Sequence, residues 1–324
     1  MKNLINHIRN KNKKILFTPG PSSLSYENLL GLAPGFGRGD REYLKVENRV
    51  MNKLKKMSKK KYIARMQGSG SFAIEVMIAN FLNGNVLILN SGYYSERLIN
   101  ISKHYKRVNK NIKKIKIIDW KNYDKINKKY DWILFCYTET SKAIKLPIKE
   151  IYNISRKFKS KLMVDATASF GLEKYHEYAS VFSYSSCKGL FGLTGACFIS
   201  YDKAPENKIS SFNIDINTHL NKKMTGPYHA IYSLDLIIKN YSDFKHSVIV
   251  NKKKFIEISK EYLSVKSKFQ PMLCTQIDKK IIPKNKNVVL YKPRSEIKGS
   301  IICHLGEVHL KKNSKAKILK NIKF

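Results

Sequence analysis

The form of the apolar segments constrains this fold most. Six short runs are continuous rather than alternating: Asn85–Asn90, Ile115–Asp119, Trp132–Tyr137, Lys161–Asp165, Val181–Ser186 and Ala196–Tyr201. A strand apolar on both sides needs cover on both faces of its sheet. Helical patterns lie between several of these runs. Ser71–Leu82 is apolar nearly all round, as a buried helix must be, and Ile148–Lys157 gathers Ile148, Ile151, Tyr152 and Ile154 on one side. Strands alternating with helices predict an α/β domain with a mainly parallel sheet. Beyond about Pro205 the pattern changes. Ile231–Lys239 and Lys252–Val265 read as helices, Lys279–Lys286 as a lysine-rich turn, Val288–Tyr291 and Ser300–Leu305 as strands, and Lys315–Ile322 as a closing helix. A chain of 324 residues is long enough for a large α/β domain with an N-terminal arm over 1–205 and a smaller C-terminal α+β domain over 206–324.

Charge bears on partners. Lys and Arg total 62 against 24 Asp and Glu, a formal charge of +38. The lysines are spread along the chain, without an arginine-rich stripe or an aromatic stacking module, which predicts a solvated basic surface and no nucleic-acid partner. No apolar run reaches membrane-spanning length, and the basic, Asn-rich Met1–Lys14 lacks the apolar core of a secretory signal. The expected location is cytoplasmic, with no membrane partner. Cys136, Cys187, Cys197, Cys274 and Cys303 are odd in number and widely spaced, with no CxxC pair. Buried reduced thiols are expected, and no metal site.

Four features fall where predicted strands end or helices begin, the edge at which open α/β sheets bind ligands. Gln67-Gly68-Ser69-Gly70-Ser71 precedes the buried helix, and a Gly/Ser turn at a helix N-terminus is suited to phosphate. It lacks the lysine of a nucleotide-binding P-loop, and such a turn also serves as an ordinary cap. Asn90–Arg97 (NSGYYSER) places Tyr93 and Tyr94 in a turn after a strand, either stacking on a planar ring or packing locally. Asp165 ends its strand, where a carboxylate caps the next turn or pairs with a protonated ring nitrogen. Lys188, in Ser185–Gly189 (SSCKG), follows a buried strand and precedes a glycine-punctuated loop. A lysine there is placed to form an imine with an aldehyde.

Taken together, these motifs resemble the class V aminotransferases, within the fold type I enzymes that use pyridoxal 5'-phosphate. The resemblance rests on Leu16–Ser25 (LFTPGPSSLS), Gly39–Tyr43 (GDREY), Gln67–Glu75, Leu89–Leu98, Thr138–Ser141 (TETS), Val164–Gly171 (VDATASFG), Ser185–Gly195, Thr225–Ala230 and Leu305–Val308. The motifs are most similar to those of the 2-aminoethylphosphonate–pyruvate branch. The resemblance implies a fold type I architecture, pyridoxal phosphate as cofactor, and transfer of an amino group from a small amine donor to a keto acid acceptor such as pyruvate, in phosphonate metabolism. Lys188 matches the lysine that bonds the cofactor and shuttles the Cα proton, and Asp165 the partner of the ring nitrogen. Ser69, Gly70 and Ser71 match the phosphate loop, Tyr94 the stacking aromatic, Thr140 the hydroxyl near the phenolic oxygen, and Thr167 the residue on the ring's other face. Thr225 and Tyr228 match positions that reach the neighbouring subunit's phosphate, which implies a homodimer.

Three positions depart from the family pattern. Aligning Leu305–Val308 puts Ile301 where the family carries the arginine that grips the substrate's acid group, leaving Arg294, Arg38 or Arg41 to replace it. Cys187 stands in place of a polar residue, and both the Asp165–Lys188 segment and the C-terminal part are short. These departures keep open another reaction on the same scaffold, of lyase or desulfurase type, or a non-catalytic homologue. Desulfurases carry histidines where this chain has Cys187 and Tyr94.

Overall fold

The structure, a computed structural model, describes residues 3, 6, 14–22, 24–305 and 319–324. The chain opens with β1 (Ile15–Phe17) and two helices, α1 (Tyr26–Leu30) and α2 (Arg41–Ser58). Then come β2 (Tyr62–Gln67), α3 (Gly70–Phe81), β3 (Gly84–Asn90), α4 (Tyr93–Val108), β4 (Ile112–Asp119) and β5 (Trp132–Cys136). A two-residue ladder joins β6 (Thr138–Glu139) to β7 (Ile144–Lys145). After α5 (Ile148–Lys157) follow β8 (Lys161–Asp165), β9 (Val181–Ser185) and β10 (Ala196–Tyr201).

The main sheet has seven strands in the order β2-β10-β9-β8-β5-β3-β4. Strand β10 runs antiparallel to both neighbours, and every other pairing is parallel. The predicted mainly parallel sheet is therefore present. Its two faces carry separate apolar layers. Leu87, Leu89, Ile133, Phe135, Leu162 and Val164 belong to one, while Val86, Ile88, Leu134, Met163, Cys197 and Ile199 face the other, against α3. This two-sided burial is why the strands read as continuous apolar runs.

The run at Ile115–Asp119 differs from expectation. Its strand begins at Ile112, closes one edge of the sheet, and exposes Lys113, Lys114 and Lys116. Lysines on an edge strand discourage pairing with another chain. Three of the elements that the sequence pattern does not reveal are instructive. Strand β2 carries Arg65, whose charge breaks its apolar run; Glu47 neutralises it inside the protein at 2.8 Å. Helix α2 starts on an Asp40 cap and buries Tyr43, Val46, Val50 and Leu54 in a stripe at helical spacing. Helix α4 takes in Tyr93 and Tyr94, so the expected aromatic turn is the first turn of a helix.

The C-terminal part holds α6 (Ile216–Leu220), α7 (Tyr228–Lys239) and α8 (Tyr241–Ser259), with β11 (Cys274–Ile277), β12 (Ile282–Pro283), β13 (Val288–Leu290), β14 (Ser300–Cys303) and β15 (Ile322–Lys323). The predicted helix Lys252–Val265 instead starts at Tyr241 and ends at Ser259, followed by a single 3-10 turn. Of the predicted helix Lys315–Ile322, residues 315–318 lie outside the described residues; Leu319–Asn321 is a 3-10 turn and Ile322 begins β15. Strand β1 pairs in parallel with β13, and β11 pairs antiparallel with β14. The N-terminal helices dock on α7: Asn28 donates to Ser233 Oγ and to the Phe191 carbonyl, each at 3.1 Å, and Arg49 pairs with Asp235 at 2.8 Å.

Candidate active site

Parallel topology fixes the location of the site. The carboxyl ends of β2, β3, β5, β8 and β9 emerge at one edge of the sheet, together with the start of the antiparallel β10. The segments that follow these ends carry the motifs singled out above. They surround one cavity of about 510 Å³, within the range of small-molecule sites. Ser69, Gly70, Ser71, Tyr94, Thr140, Asp165, Thr167 and Lys188 all line it.

Local hydrogen bonding holds each in place. After β2, Ser69 caps α3 by accepting from the Phe72 amide at 3.2 Å. The cradle is tied to the loop before β10, because the Gly68 amide donates to the Gly195 carbonyl at 2.9 Å. Asp165 is buried at the tip of β8 and accepts from the Thr167 amide at 2.9 Å. The turn after β9 is equally fixed. The Phe191 amide donates to the Lys188 carbonyl at 2.9 Å, the Gly192 amide to the Ser186 carbonyl at 2.8 Å, and the Ser22 amide to the Cys187 carbonyl at 2.7 Å. The Lys188 ammonium lies 5.6 Å from the centre of the Tyr94 ring. Asp165 and Lys188 act on the same thiol. Burial first, then the Asp165 charge, pushes Cys136 well above the ordinary thiol range, while Lys188 pulls it down.

Tyr94 is placed by a residue not assigned a role from the sequence. Glu139, fully buried in the TETS turn, accepts from the Tyr94 amide at 3.0 Å and the Ser95 amide at 3.2 Å, and from Ser141 Oγ at 2.5 Å. A carboxylate at a helix N-terminus is favoured by the free amides there. Burial nonetheless raises the Glu139 pKa above the ordinary carboxylate value, against the lowering effect of these donors. Gly92, at φ +149°, lets α4 begin this close: a Cβ there would sit 3.1 Å from Glu139 side-chain carbons. Two arginines also line the cavity. Arg97 donates to Ser71 Oγ on the cradle. Arg294 donates to the Tyr93 hydroxyl at 2.9 Å. Arg97 lies in the quoted NSGYYSER segment, yet only the helical turn of α4 shows that it faces the cradle.

The residues present fit pyridoxal phosphate. Thr138, Thr140 and Thr167 hold buried hydroxyls without a hydrogen-bond partner, all on the cavity wall. Buried polar atoms are normally satisfied, so three together suit a polar ligand. The cradle offers small residues and a helix N-terminus for a phosphate. Asp165 is the sole carboxylate lining the cavity, among the described residues, and suits a cationic ring nitrogen.

Other predicted positions lie elsewhere. Thr225 and Tyr228 line a second, more open cavity of about 310 Å³ with Gln67, Thr194 and Gly195, so one chain does not bring them into its own Lys188 pocket. Ile301 on β14 is buried in the core. Arg38 lines a small cavity beside Glu47 and Arg65, and Arg41 is exposed at the start of α2. Of the three arginines considered as replacements, Arg294 alone reaches the pocket. Residues 306–308 of the Leu305–Val308 motif lie outside the described residues. Four cysteines are buried as free thiols, whereas Cys187 is half-exposed on the pocket wall. Among the described residues, no helix is long and apolar enough to cross a membrane.

Architecture and pocket together define the class: the chain has the fold type I architecture of the pyridoxal-phosphate aminotransferases, with a pocket that fits that cofactor. Two solved structures superpose over nearly the whole chain. Alanine–glyoxylate aminotransferase from Nostoc sp. gives a TM-score of 0.78 at 17% identity, covering 95% of this chain and 94% of that one. A subgroup IV aspartate aminotransferase from Thermus thermophilus gives 0.79 at 15% identity, covering 94% and 96%. In sequence, the chain is 26% identical over 256 residues to the 2-aminoethylphosphonate–pyruvate transaminase of Pseudomonas putida (strain GB-1), spanning 72% of this chain and 70% of that protein. No family model matches the chain.

Proposed function

We propose that this protein is a pyridoxal-phosphate-dependent aminotransferase that moves an amino group between a 2-aminoethylphosphonate-like amine and a keto acid such as pyruvate. One observation carries the reading: eight residues flagged from separate motifs, Lys188 and Asp165 among them, line a single pocket at the carboxyl edge of the sheet. The relative from Pseudomonas putida, named for that reaction, supports the choice of substrate. The reading includes a cytoplasmic homodimer, with the chain divided at 205/206.

Ser69, Gly70 and Ser71 hold the cofactor phosphate at the start of α3, and Arg97, already on Ser71, adds charge. Asp165 faces the ring nitrogen and keeps it protonated. Tyr94 and Thr167 line the cavity where they would hold the ring, and the Thr140 hydroxyl would be a partner for its phenolic oxygen. Bound there, the cofactor supplies a carbonyl for an amine and a ring that accepts the electron pair released when a C–H bond breaks. Lys188 is the amine that anchors it. The same Nζ, when not holding the cofactor, would take the proton from the substrate carbon and return it on the other side of the transfer. The ordered turns on both sides of Lys188 fix the backbone from which its side chain enters the pocket. Thr225 and Tyr228 complete the phosphate site of the neighbouring subunit.

The test is a half-reaction. The loaded protein is yellow and borohydride bleaches it. Adding 2-aminoethylphosphonate shifts the spectrum to that of the aminated cofactor, and pyruvate restores it. A yellow protein that no amine in a panel of aminophosphonates and amino acids converts refutes transamination.

A further inference from the structure

We infer that Arg294, braced by Tyr93, is the group that grips the acid end of the substrate and makes this pocket selective for small amines carrying a phosphonate or carboxylate. The inference rests on the transaminase reading of the pocket and names the substrate class that this site takes. Three cations line the cavity, Arg97, Lys188 and Arg294, against the single carboxylate Asp165. Among the described residues, no Asp or Glu lies within ion-pair distance of Arg97 or Arg294. A cofactor phosphate, two negative charges, balances Arg97 and the helix N-terminus, and Lys188 is engaged in holding the cofactor. Arg294 is then left facing the cavity with its charge unmatched, and a substrate anion is what remains to match it.

Arg294 is also pre-positioned. Its guanidinium carbon stands 5.2 Å from the centre of the Tyr93 ring, and Nη1 donates to that residue's hydroxyl at 2.9 Å. The next residue ties the segment to the sheet edge: Ser295 Oγ donates to Ser141 Oγ at 3.1 Å, in the turn that holds Glu139 and Tyr94. One guanidinium edge is thus fixed by the phenol, and the remaining donors form a fork suited to the two oxygens of an acid. Ile301 cannot serve, being buried in the core.

The test uses the loaded protein with three amines of similar length: 2-aminoethylphosphonate, β-alanine and n-propylamine. Arg294→Ala is expected to weaken the apparent affinity for the two acids by about 10- to 100-fold, the range for a hydrogen-bonded charge. Propylamine, which has no acid, moves by less than about twofold, and Arg294→Lys recovers part of the loss. The ratio of the phosphonate to the carboxylate loss identifies the preferred acid. Calorimetric binding of methylphosphonate gives a readout without turnover and should show the same loss. Equal losses for propylamine, or methylphosphonate binding that ignores the substitution, overturns the inference. If methylphosphonate binding depends on Arg294 but no amine reacts, the transaminase reading falls and the anion grip stands.

Discussion

The floor and the mouth of the pocket are built by different means. On the floor, Asp165 and Lys188 leave adjacent strands of one sheet, β8 and β9, and the backbone around each is hydrogen-bonded. Asp165 is almost wholly buried and Lys188 partly so. At the mouth, Arg294 sits exposed in an irregular stretch between β13 and β14, held by one phenol and by a seryl hydroxyl contact from its neighbour. The floor draws its geometry from the register of the sheet, the stiffest part of the molecule. The mouth draws its geometry from side chains that reach across from a different layer. Chemistry common to a whole reaction class belongs on the first kind of support, and choice of substrate on the second, where a change costs little stability.

That contrast breaks if floor and mouth substitutions have similar consequences. The largest effect is expected at Lys188. In the proposed reaction Lys188→Ala removes both the anchoring amine and the proton carrier, so turnover should fall at least about 10²- to 10⁴-fold, with loss of the yellow colour and unchanged far-ultraviolet circular dichroism. Asp165→Asn is next. It leaves an acceptor for the Thr167 amide but removes the charge proposed to face the ring, and should lower kcat about 10²-fold with little change in KM. Gly70→Ala sharpens the comparison at the cradle. Its Cβ would come 2.6 Å from Thr167 Cγ2 and 3.0 Å from the Thr167 hydroxyl. Cofactor dissociation, followed by fluorescence, should rise about tenfold while the secondary structure stays intact.

Salt separates the regions with a smaller effect. Raising ionic strength from 0.05 to 0.5 M should weaken binding of an acid substrate a few-fold, because Arg294 is exposed and screened. Cofactor affinity, set in the partly enclosed interior, should move less. Acid has the smallest effect near neutrality. Burial lowers both His176 and His304 from 6.5 to about 3. Between those values the unfolded chain takes up protons that the folded chain refuses. Stability is therefore full above pH 6.5 and drains as pH falls toward 3, which thermal melts across that window would register. A melting temperature flat down to pH 4 would mean that these imidazoles are not sealed from water.

Legibility followed the same division. Asp165 and Lys188 could be picked out because one ends and the other follows a continuous apolar run, which marks a strand end in the sequence itself, and the Ser69–Ser71 cradle because it precedes a helix that is apolar nearly all round. Thr138 and Glu139 were inside a quoted motif, but nothing local shows that Glu139 caps a helix forty-odd residues earlier in the chain. The segment around Tyr93 and Tyr94 was read as a turn because lysines and a histidine later in α4 dilute its apolar stripe. Arg65 hid β2 in the same way, since its charge is cancelled only by Glu47 across the fold.

The sequence by itself determined the covered, mainly parallel sheet and the strand-end positions of the floor residues, because local periodicity is written in neighbouring residues, while the cofactor class came from the resemblance of its motifs to a known family. Tertiary structure alone decided that five strand ends share one edge, that Thr225 and Tyr228 line a separate cavity, and that Arg294 rather than Ile301, Arg38 or Arg41 reaches the pocket. Those outcomes depend on strand order and on packing between residues far apart in the chain, and no local pattern encodes either.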